Sequence, residues 1–400
     1  MSKRLKIAVA ISMVTSTALF ATNGDSLIGV GAKTRAMGGA GIALSQGAES
    51  TLVNPANITK VKATEISFGG TVFAPTIKTQ MGMGNESKSD ADLSIIPAVA
   101  IATKYNENIY LGVGMYGTAG MGTDFRGNAS LFNMETTLQL MQFAVPLAYR
   151  SGGLSVGIAP ILQYGSLDIH YQLPAMMGGA NVGNGQTQDF GVGFSVGANY
   201  DFSNGMSVGA VYKSKIKMKY KGVLSTSTAP FVAMGAFPSA MADTLEQPAE
   251  IGVGVAYKNG AHTILADYKR VLWSKANGYK GFGWKDQDVF ALGYEYNTGI
   301  WALRAGYNYA KSPLTIQNGT MPSGAVLNMF NILGFPATAK QHFTFGGGYK
   351  FNDKFSMDLA VVYATSSKTS ADISALFGPG AKINNKHSEL GVTVQFNYKF

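Results

Sequence analysis

The most constraining feature of this 400-residue chain is a period-two alternation that recurs along much of its length. Successive side chains of a β-strand point to opposite faces of the sheet, so this period assigns one set of residues to each face. One set is apolar and often aromatic, and the other is small or polar. The alternation is clearest at residues 190–200, 215–221, 301–310, 355–364 and 390–400. It predicts an all-β protein with antiparallel strands.

A soluble β-sandwich would show the same alternation with its apolar face inside, but two features favour a membrane barrel. The alternating stretches often have ten or more residues, whereas strands of globular proteins have about five or six. Aromatic residues stand near their ends, as in the girdles of outer-membrane barrels, and the chain itself ends on Phe400. We therefore predict a transmembrane antiparallel β-barrel at residues 64–400, in which every backbone group is paired as lipid requires.

Turn-forming residues divide the alternating stretches into short and long connections. Short turns are predicted at residues 106–108, 151–153, 201–205, 258–260, 297–299 and 352–354. Long loops are predicted at about residues 172–188, 225–247, 274–286, 312–340 and 366–387. This asymmetry is typical of outer-membrane barrels, and the spacing from about residue 64 predicts about 14 strands.

Residues 1–21 have the pattern of a secretory signal peptide. Three basic residues, Lys3, Arg4 and Lys6, precede a 14-residue, mostly apolar run from Ile7 to Phe20. The small residue Ala21 then marks the expected cleavage position. The run is too short to anchor the chain across about 30 Å of hydrocarbon. We expect export to the outer membrane of a Gram-negative bacterium.

The composition excludes several other classes. The chain has no Cys, so a disulfide scaffold and a thiolate metal site are excluded. Its net charge of +9 falls to +6 without the three basic leader residues (29 basic minus 23 acidic) and is scattered, so no nucleic-acid partner is expected. The four His residues are widely spaced and give no metal pattern, and no cofactor is expected.

Two motifs resemble those of enzymes but lack the required context. Residues 193–197 read Gly-Phe-Ser-Val-Gly, but Ser195 stands in the middle of an alternating stretch, whereas a nucleophile elbow needs a strand-turn-helix. Residues 112–117 spell a dinucleotide fingerprint without a βαβ unit around it. We expect no enzyme, with an outer-membrane lipase as the enzymatic alternative and a diffusion porin for polar solutes as the transport alternative.

The predicted long loops contain apolar residues that would not be expected in loops exposed only to water. They occur at residues 174–177, 230–241, 325–333 and 374–377, and include Phe231, Met234, Phe330 and Phe377. Such residues either pack on each other or bind a hydrophobic molecule. Composition leaves both explanations open.

Residues 22–63 differ from the rest of the mature chain. Five glycines crowd residues 29–41, and the segment ends in Asn54-Pro55-Ala56-Asn57. It is too long for a tail and too rich in glycine for a strand. We therefore predict a compact plug, or hatch, inside the barrel.

Five segments, taken in order, resemble the FadL/TodX family of outer-membrane transporters for long-chain fatty acids and hydrocarbons, over essentially the whole mature chain. Residues 29–41 are similar to the start of the family's hatch, and Asn54-Pro55-Ala56 to its NPA motif. The other three segments are residues 117–125, 266–274 and 301–313.

This resemblance implies a 14-stranded barrel plugged by a hatch. The sequence contains no evident energy-coupling box, so we expect a hydrophobic ligand to diffuse through it passively. Extracellular loops catch the ligand, an inner pocket receives it, and it leaves sideways into the membrane where the third strand is kinked. Gly120 matches the kink, and Asn54 and Pro55 match the motif that contacts the barrel wall. The implied partners are hydrophobic small molecules, outer-membrane lipid and lipopolysaccharide, and the implied state is a monomer. Monoaromatic hydrocarbons are the alternative ligand class.

Two departures from the fatty-acid members concern the ligand site. Lys280 falls where those members place a lysine against the ligand carboxylate, but their accompanying arginine is replaced by a stretch that contains His170. Imidazole is mostly neutral at pH 7, so this anion site is expected to be weaker. The mature chain also lacks the N-terminal Phe of the best-known member, and Leu27 or Ile28 is the expected substitute.

Overall fold

The computed structural model describes residues 22–237 and 241–400. The predicted signal peptide lies outside the described residues. Within these ranges, fourteen antiparallel strands close into a barrel, as predicted. Their bounds are β1 (Thr64–Met81), β2 (Ser94–Lys104), β3 (Ile109–Asp124), β4 (Glu135–Ala144 and Leu147–Ser151), β5 (Leu154–Gln172), β6 (Thr187–Asp201), β7 (Met206–Lys213), β8 (Glu250–Asn259), β9 (His262–Val271), β10 (Gln287–Asn297), β11 (Trp301–Ala310), β12 (Gln341–Lys350), β13 (Phe355–Asp372) and β14 (Lys382–Lys399).

The barrel closes where β14 pairs with β1, from Ile383 opposite Met81 to Lys399 opposite Glu65. The apolar set of each strand faces outward, as the alternation predicts. Val192, for example, is 76% exposed on the outside, whereas Ser195 on the same strand is 1% exposed and faces inward. An outward apolar belt of this kind is what a lipid environment requires.

The connections follow the predicted asymmetry. All six predicted short turns join neighbouring strands, while the connections at the other end are longer. The prediction for residues 366–387 is too long, because β13 extends to Asp372 and β14 begins at Lys382. The polar residues there continue the strand pairing beyond the membrane belt and do not form a loop.

The alternating stretch at residues 215–221 is a strand but does not belong to the barrel wall. Ile216–Lys219 pairs with Thr244–Gln247 in a separate two-stranded ribbon inside the long β7–β8 connection. There Ile216 and Met218 are buried and the lysines point outward, the reverse of the wall strands. Water outside the ribbon, in place of lipid, explains the reversal.

Residues 22–63 lie inside the ring of strands. The backbone N–H of Ala32 donates to Gln395 on β14 at 2.7 Å, and that of Gly41 donates to Asp267 on β9 at 2.7 Å. The segment therefore hydrogen-bonds to opposite parts of the wall. Its elements are two short strands (Thr22–Asn23 and Ser26–Leu27), helices α1 (Ala32–Ala36) and α2 (Ser50–Val53), and 3-10 turns at Gly47–Glu49 and Pro55–Lys60.

The long connections carry the remaining helices. None of the helices within the described ranges combines the length and apolarity needed to cross a membrane. The bounds are α3 (Val223–Ala233), α4 (Pro322–Met329) with a π-turn at Phe330–Gly334, α5 (Ser374–Phe377), and 3-10 turns at Ala129–Leu131, Ala175–Met177 and Trp273–Lys275. Two further short strands are Ser87–Lys88 and Asn181–Val182.

Candidate ligand path and lateral opening

Strand β3 changes its partner halfway along its length. Its pairing with β2 ends where Ala98 stands opposite Tyr116. The register toward β4 shifts between Gly117 and Ala119, which marks a bulge at the same height. Bulges bend the strand that carries them. From this point β3 turns into the barrel while β4 continues to accompany it.

The N-terminal hairpin takes the place that β2 leaves. Ser26 pairs with Ala119, and the N–H of Gly120 donates to the carbonyl of Asp25 at 2.9 Å. Gly120, the predicted kink residue, thus lies inside the detached segment, and the departure itself begins at Gly117. The wall is interrupted here between β2 and β3.

The upper end of this opening is closed by the β1–β2 loop. The N–H of Asp124, the last residue of β3, donates to Ser89 Oγ at 2.9 Å, and the N–H of Asp90 donates to the carbonyl of Asp124 at 2.9 Å. The detached part of β3 therefore spans residues 117–123. We call this gap the lateral opening.

An apolar pocket lies against the detached segment on its inner side. Met121 of β3 lines it, and the volume of this cavity is about 20 Å³. Room for about one water molecule means that a ligand must displace side chains, which methionine accommodates well. The other lining residues are Leu138, Leu167, Ile169, Leu224, Leu245, Tyr279, Phe282, Trp284, Asn331 and Phe335.

Loop aromatics pack behind this pocket. The ring centroids of Phe330 and Phe282 are 6.0 Å apart, and Phe231 crosses Phe330 edge-on at 5.4 Å. The polar Asn331 is satisfied, because it accepts from Trp284 Nε1 at 3.0 Å and donates to a carbonyl at 2.8 Å. The apolar loops therefore pack on each other and enclose a hydrophobic site by doing so.

A buried polar network lies next to the pocket. Asp25 has no exposed surface. It accepts hydrogen bonds from the Tyr279 hydroxyl, from Gln247 Nε2 at 2.9 Å and from Ser26 Oγ at 2.9 Å. Burial raises the pKa of the Asp25 carboxyl, and the three hydrogen bonds partly oppose that rise. Burial and the Asp25 carboxylate also raise the pKa of Tyr279 well above its usual range, so its hydroxyl remains a donor.

The same network borders a second cavity, of about 80 Å³, inside the barrel. Ser26 and Gln247 line this cavity, whereas Tyr279 lines the apolar pocket. The Asp25 network therefore separates the two. The second cavity is more polar, and its lining includes Leu27, Ile28, Thr118, Ala119, Lys213, Glu250 and Lys269. Thr118 and Ala119 belong to the segment of β3 that borders the lateral opening.

Asn54, Pro55 and Ala56 lie where the N-terminal segment contacts the wall. Asn54 Oδ1 accepts from the N–H of Ala56 at 3.1 Å, and its Nδ2 donates to the carbonyl of Ile42 at 2.8 Å. A Cβ atom on Gly197 of β6 would overlap Asn54 Oδ1, so a glycine permits this close approach. The motif thus shapes the segment and holds it against the wall.

The structure does not bring the two predicted anion-binding residues to the pocket lining. Lys280 is exposed, although its neighbour Tyr279 points inward. His170 lies among carboxylates, with Nε2 2.9 Å from Glu135 Oε2 and Nδ1 3.3 Å from Asp168 Oδ2. A ligand carboxylate would compete with both of these acidic groups.

The four predicted apolar ligand residues divide into two pairs. Phe231 and Phe330 are buried in the aromatic cluster behind the pocket. Met234 is 47% exposed at the end of α3, and Phe377 is 36% exposed on α5, where it packs on Phe132 at 6.0 Å. Leu27 and Ile28, the expected substitutes for an N-terminal Phe, line the second cavity and not the apolar pocket.

Sequence reasoning missed the residues that connect the two cavities. Neither Asp25 nor Tyr279 is among the predicted site residues, although the sequence around each carries a signal. Asn23-Gly24-Asp25 is a turn sequence, and Gly24 has φ 73° in the tight hairpin that places Asp25. Tyr279 is adjacent to Lys280, which the resemblance singled out. Within the described residues, no group of three or more His, Asp or Glu is arranged to hold a metal ion.

Comparisons with known proteins agree with this geometry. The sequence model of the family described as outer membrane protein transport protein (OMPP1/FadL/TodX) matches residues 8–400. A 47 kDa outer membrane protein of Pasteurella multocida (strain Pm70) is 23% identical over 388 residues, which cover 90% of this chain and 89% of that protein.

Solved structures share the fold. A Pseudomonas aeruginosa FadL homologue gives a TM-score of 0.72 at 15% identity, covering 94% of this chain and 100% of the other. The toluene transporter TodX of Pseudomonas putida gives 0.69 at 18% identity, covering 93% and 99%. The toluene transporter TbuX of Ralstonia pickettii gives 0.67 at 18% identity, covering 93% and 98%. The chain described here belongs to the OMPP1/FadL/TodX family of outer membrane transport proteins.

Proposed function

We propose that this protein is a passive channel that takes up small hydrophobic molecules through the lateral opening between β2 and β3. One observation carries the proposal: the detached segment of β3 lines both cavities, through Met121 on one side and through Thr118 and Ala119 on the other. A ligand in either cavity is therefore next to the interrupted wall. Beyond that wall lies the hydrocarbon layer.

The physical advantage of this route is that the ligand avoids water. Each methylene group kept out of water stabilises the ligand by about 0.8 kcal/mol. A path from the loop aromatics to the pocket and then sideways into lipid keeps that contribution throughout. A ligand that left through the bottom of the barrel would lose it.

Residues 22–63 serve in this proposal as a hatch that closes the lumen to polar solutes. Their backbone hydrogen bonds to Gln395 and Asp267 hold them across the barrel. The Asn54 contact with the wall fixes a further point. Polar solutes are thus excluded while the lateral route remains.

The pocket lining favours a neutral ligand over a fatty-acid anion. Its members are apolar or aromatic, apart from Asn331, which is already paired. Lys280 is exposed, and His170 is engaged by Glu135 and Asp168. Solved relatives are named as toluene transporters. Among the two predicted ligand classes, we therefore place monoaromatic or related neutral hydrocarbons before long-chain fatty acids.

Uptake by cells that express the protein tests the ligand class. We expect radiolabelled toluene to enter faster than in cells without the protein, and Lys280→Ala to leave this rate unchanged. If fatty acids are the ligands instead, oleate uptake should depend on the protein and should fall in Lys280→Ala. Mass spectrometry of hydrophobic material that co-purifies with the protein provides an independent identification. Toluene uptake equal to that of the empty cells would reject the preferred class.

We further propose that the channel works as a monomer in contact with outer-membrane lipid and lipopolysaccharide, and that it catalyses no reaction. The wall closes on itself through β14 and β1, so a second copy is not needed to cover a sheet edge. Ser195 lies mid-strand between its pairing partners Ala159 and Lys213. Native mass spectrometry and esterase assays of Ser195→Ala against the wild type check these points.

A further inference from the structure

The N-terminal hairpin starts at a buried carboxylate on the barrel wall. The backbone nitrogen of Thr22 lies 3.2 Å from Glu389 Oε2 on β14. His342 Nε2 lies 3.2 Å from the same oxygen, and His387 Nε2 lies 3.1 Å from the other, Oε1. Glu389 is 1% exposed and Thr22 is 4% exposed. The contact is therefore made inside the barrel.

A carboxylate buried this deeply is stabilised by a positive charge at contact distance, because an unpaired ion is costly to remove from water. A backbone amide supplies a hydrogen bond but no charge, and an imidazole supplies a charge only when it is protonated. The guanidinium of Arg35 is also buried in the N-terminal segment, but its Nη1 donates to the carbonyl of Gly29 at 3.3 Å. Its Nε and Nη2 have no hydrogen-bond partner among the described residues, so it does not bind Glu389 directly.

We propose that removal of the signal peptide after Ala21 turns the nitrogen of Thr22 into an α-ammonium group, and that this group binds to Glu389, whose carboxylate His342 and His387 hold in place. An α-amino group has an ordinary pKa of about 7.7–8.0, and a carboxylate nearby favours its charged form. The processed chain thus supplies the cation that an amide at the same position lacks. The inference rests on leader removal and not on the identity of the transported ligand.

This site connects β14 to the detached segment of β3 through the N-terminal hairpin. Thr22 pairs with Leu27, and Asn23 pairs with Ser26. Ser26 in turn pairs with Ala119 in the detached segment of β3. The α-ammonium group therefore anchors, on β14, the hairpin that replaces β2 as the partner of β3. Processing of the leader completes the assembly of the lateral opening.

The first test is the N-terminus of the protein purified from outer membranes. Intact-mass measurement and N-terminal sequencing should give a chain that begins at Thr22. A chain that begins at any other residue overturns the inference, because the charged nitrogen would then lie elsewhere.

The second test measures how accessible the α-amino group is. An acylating reagent at about pH 7 reacts preferentially with α-amines over lysines, and peptide mass spectrometry quantifies the label on Thr22. We expect labelling of the folded wild type in detergent to be about tenfold slower than labelling of the denatured wild type. Equal rates would overturn the proposal, and this comparison needs no variant.

Substitution then assigns the protection to Glu389. We expect Glu389→Gln, which keeps the shape and removes the charge, to label about tenfold faster than the wild type. Glu65→Gln is the matched control, since Glu65 is a buried carboxylate whose Oε1 accepts from the N–H of Ala48 at 3.1 Å elsewhere in the lumen. It should label at the wild-type rate. A protected α-amine in a protein that fails to transport toluene would reject the proposed ligand and leave this inference intact.

Discussion

At the scale of single residues, the pocket lining and the outer loop aromatics make different predictions. Phe282 lines the pocket, whereas Phe377 is partly exposed and packs on Phe132. Phe282→Ala should weaken ligand binding by about 2 kcal/mol, or roughly 30-fold in Kd, because a buried phenyl contact is lost. Phe377→Ala should change Kd by less than about twofold. Equilibrium binding of labelled toluene to the purified protein measures both.

The opposite result, a strong effect of the outer loop residue, would point to a different binding site. If Phe377→Ala weakens binding as much as Phe282→Ala does, the ligand binds first among the outer loops and the enclosed pocket is not the principal site. Circular dichroism and heat-modifiable migration of each variant show whether the barrel has folded, so that a binding defect is not confused with a folding defect.

The sequence identifies residues whose role follows from their own chemistry. It does not identify residues whose role depends on a partner that is far away in the chain. The apolar character of Phe231 and Phe330 is visible in the chain and agrees with their place in the aromatic cluster. Asp25 and Tyr279 are far apart in sequence, and only the fold brings them into a hydrogen bond. The same holds for Thr22 and Glu389. Pairs of this kind cannot be found from periodicity.

At the scale of elements, the lower end of the lateral opening can be cross-linked with one disulfide. A Cβ atom on Gly117 of β3 would lie 3.8 Å from the Cβ of Ile96 on β2, which matches the mean Cβ separation of about 3.8 Å in disulfides. The chain has no other Cys. The double variant Ile96→Cys, Gly117→Cys should therefore join the two strands next to the point where their pairing ends.

We expect the oxidised double variant to fold and bind toluene but to lose most of its uptake, because the cross-link prevents β2 and β3 from separating further to let the ligand pass. Reduction should restore uptake in the same cells. The two single-cysteine variants are the controls, since they carry the same substitutions without the cross-link. Full uptake with the disulfide formed would mean that the ligand leaves by another route.

Strands were predicted well because each element of a membrane barrel carries its own signal. Lipid outside and a filled lumen inside impose period two on every wall strand. The six short turns are marked by turn-forming residues in their own sequence. The stretch at residues 215–221 shows the limit, since its alternation is equally regular but Ile216–Lys219 forms a ribbon outside the wall. Periodicity shows that the two faces of a strand differ in polarity, but it does not show which face contacts water, lipid or protein. The partner exchange of β3 is likewise set by the hairpin at residues 22–27, which no local pattern of β3 reveals.

At the scale of the whole molecule, the hatch should decide whether the barrel conducts ions. Deletion of residues 22–60 removes the segment that hydrogen-bonds to Gln395 and Asp267 across the lumen. The wall should still fold, because its strand pairing from β1 to β14 does not include these residues, apart from the contact at Ala119. The emptied lumen retains inward polar and charged groups that water can solvate.

We therefore expect the deletion variant to form a steady ion-conducting pore in planar bilayers, while the wild type remains nearly silent. A general diffusion porin would conduct steadily with its hatch in place, so the wild-type recording separates that alternative from the proposed channel. Glu65→Gln, which keeps the hatch, is the control for loss of a lumen charge. Removing a plug must leave an aqueous path through the lumen of a fourteen-stranded barrel. A folded deletion variant with the same silent recording as the wild type would therefore show that residues 22–60 do not plug the barrel.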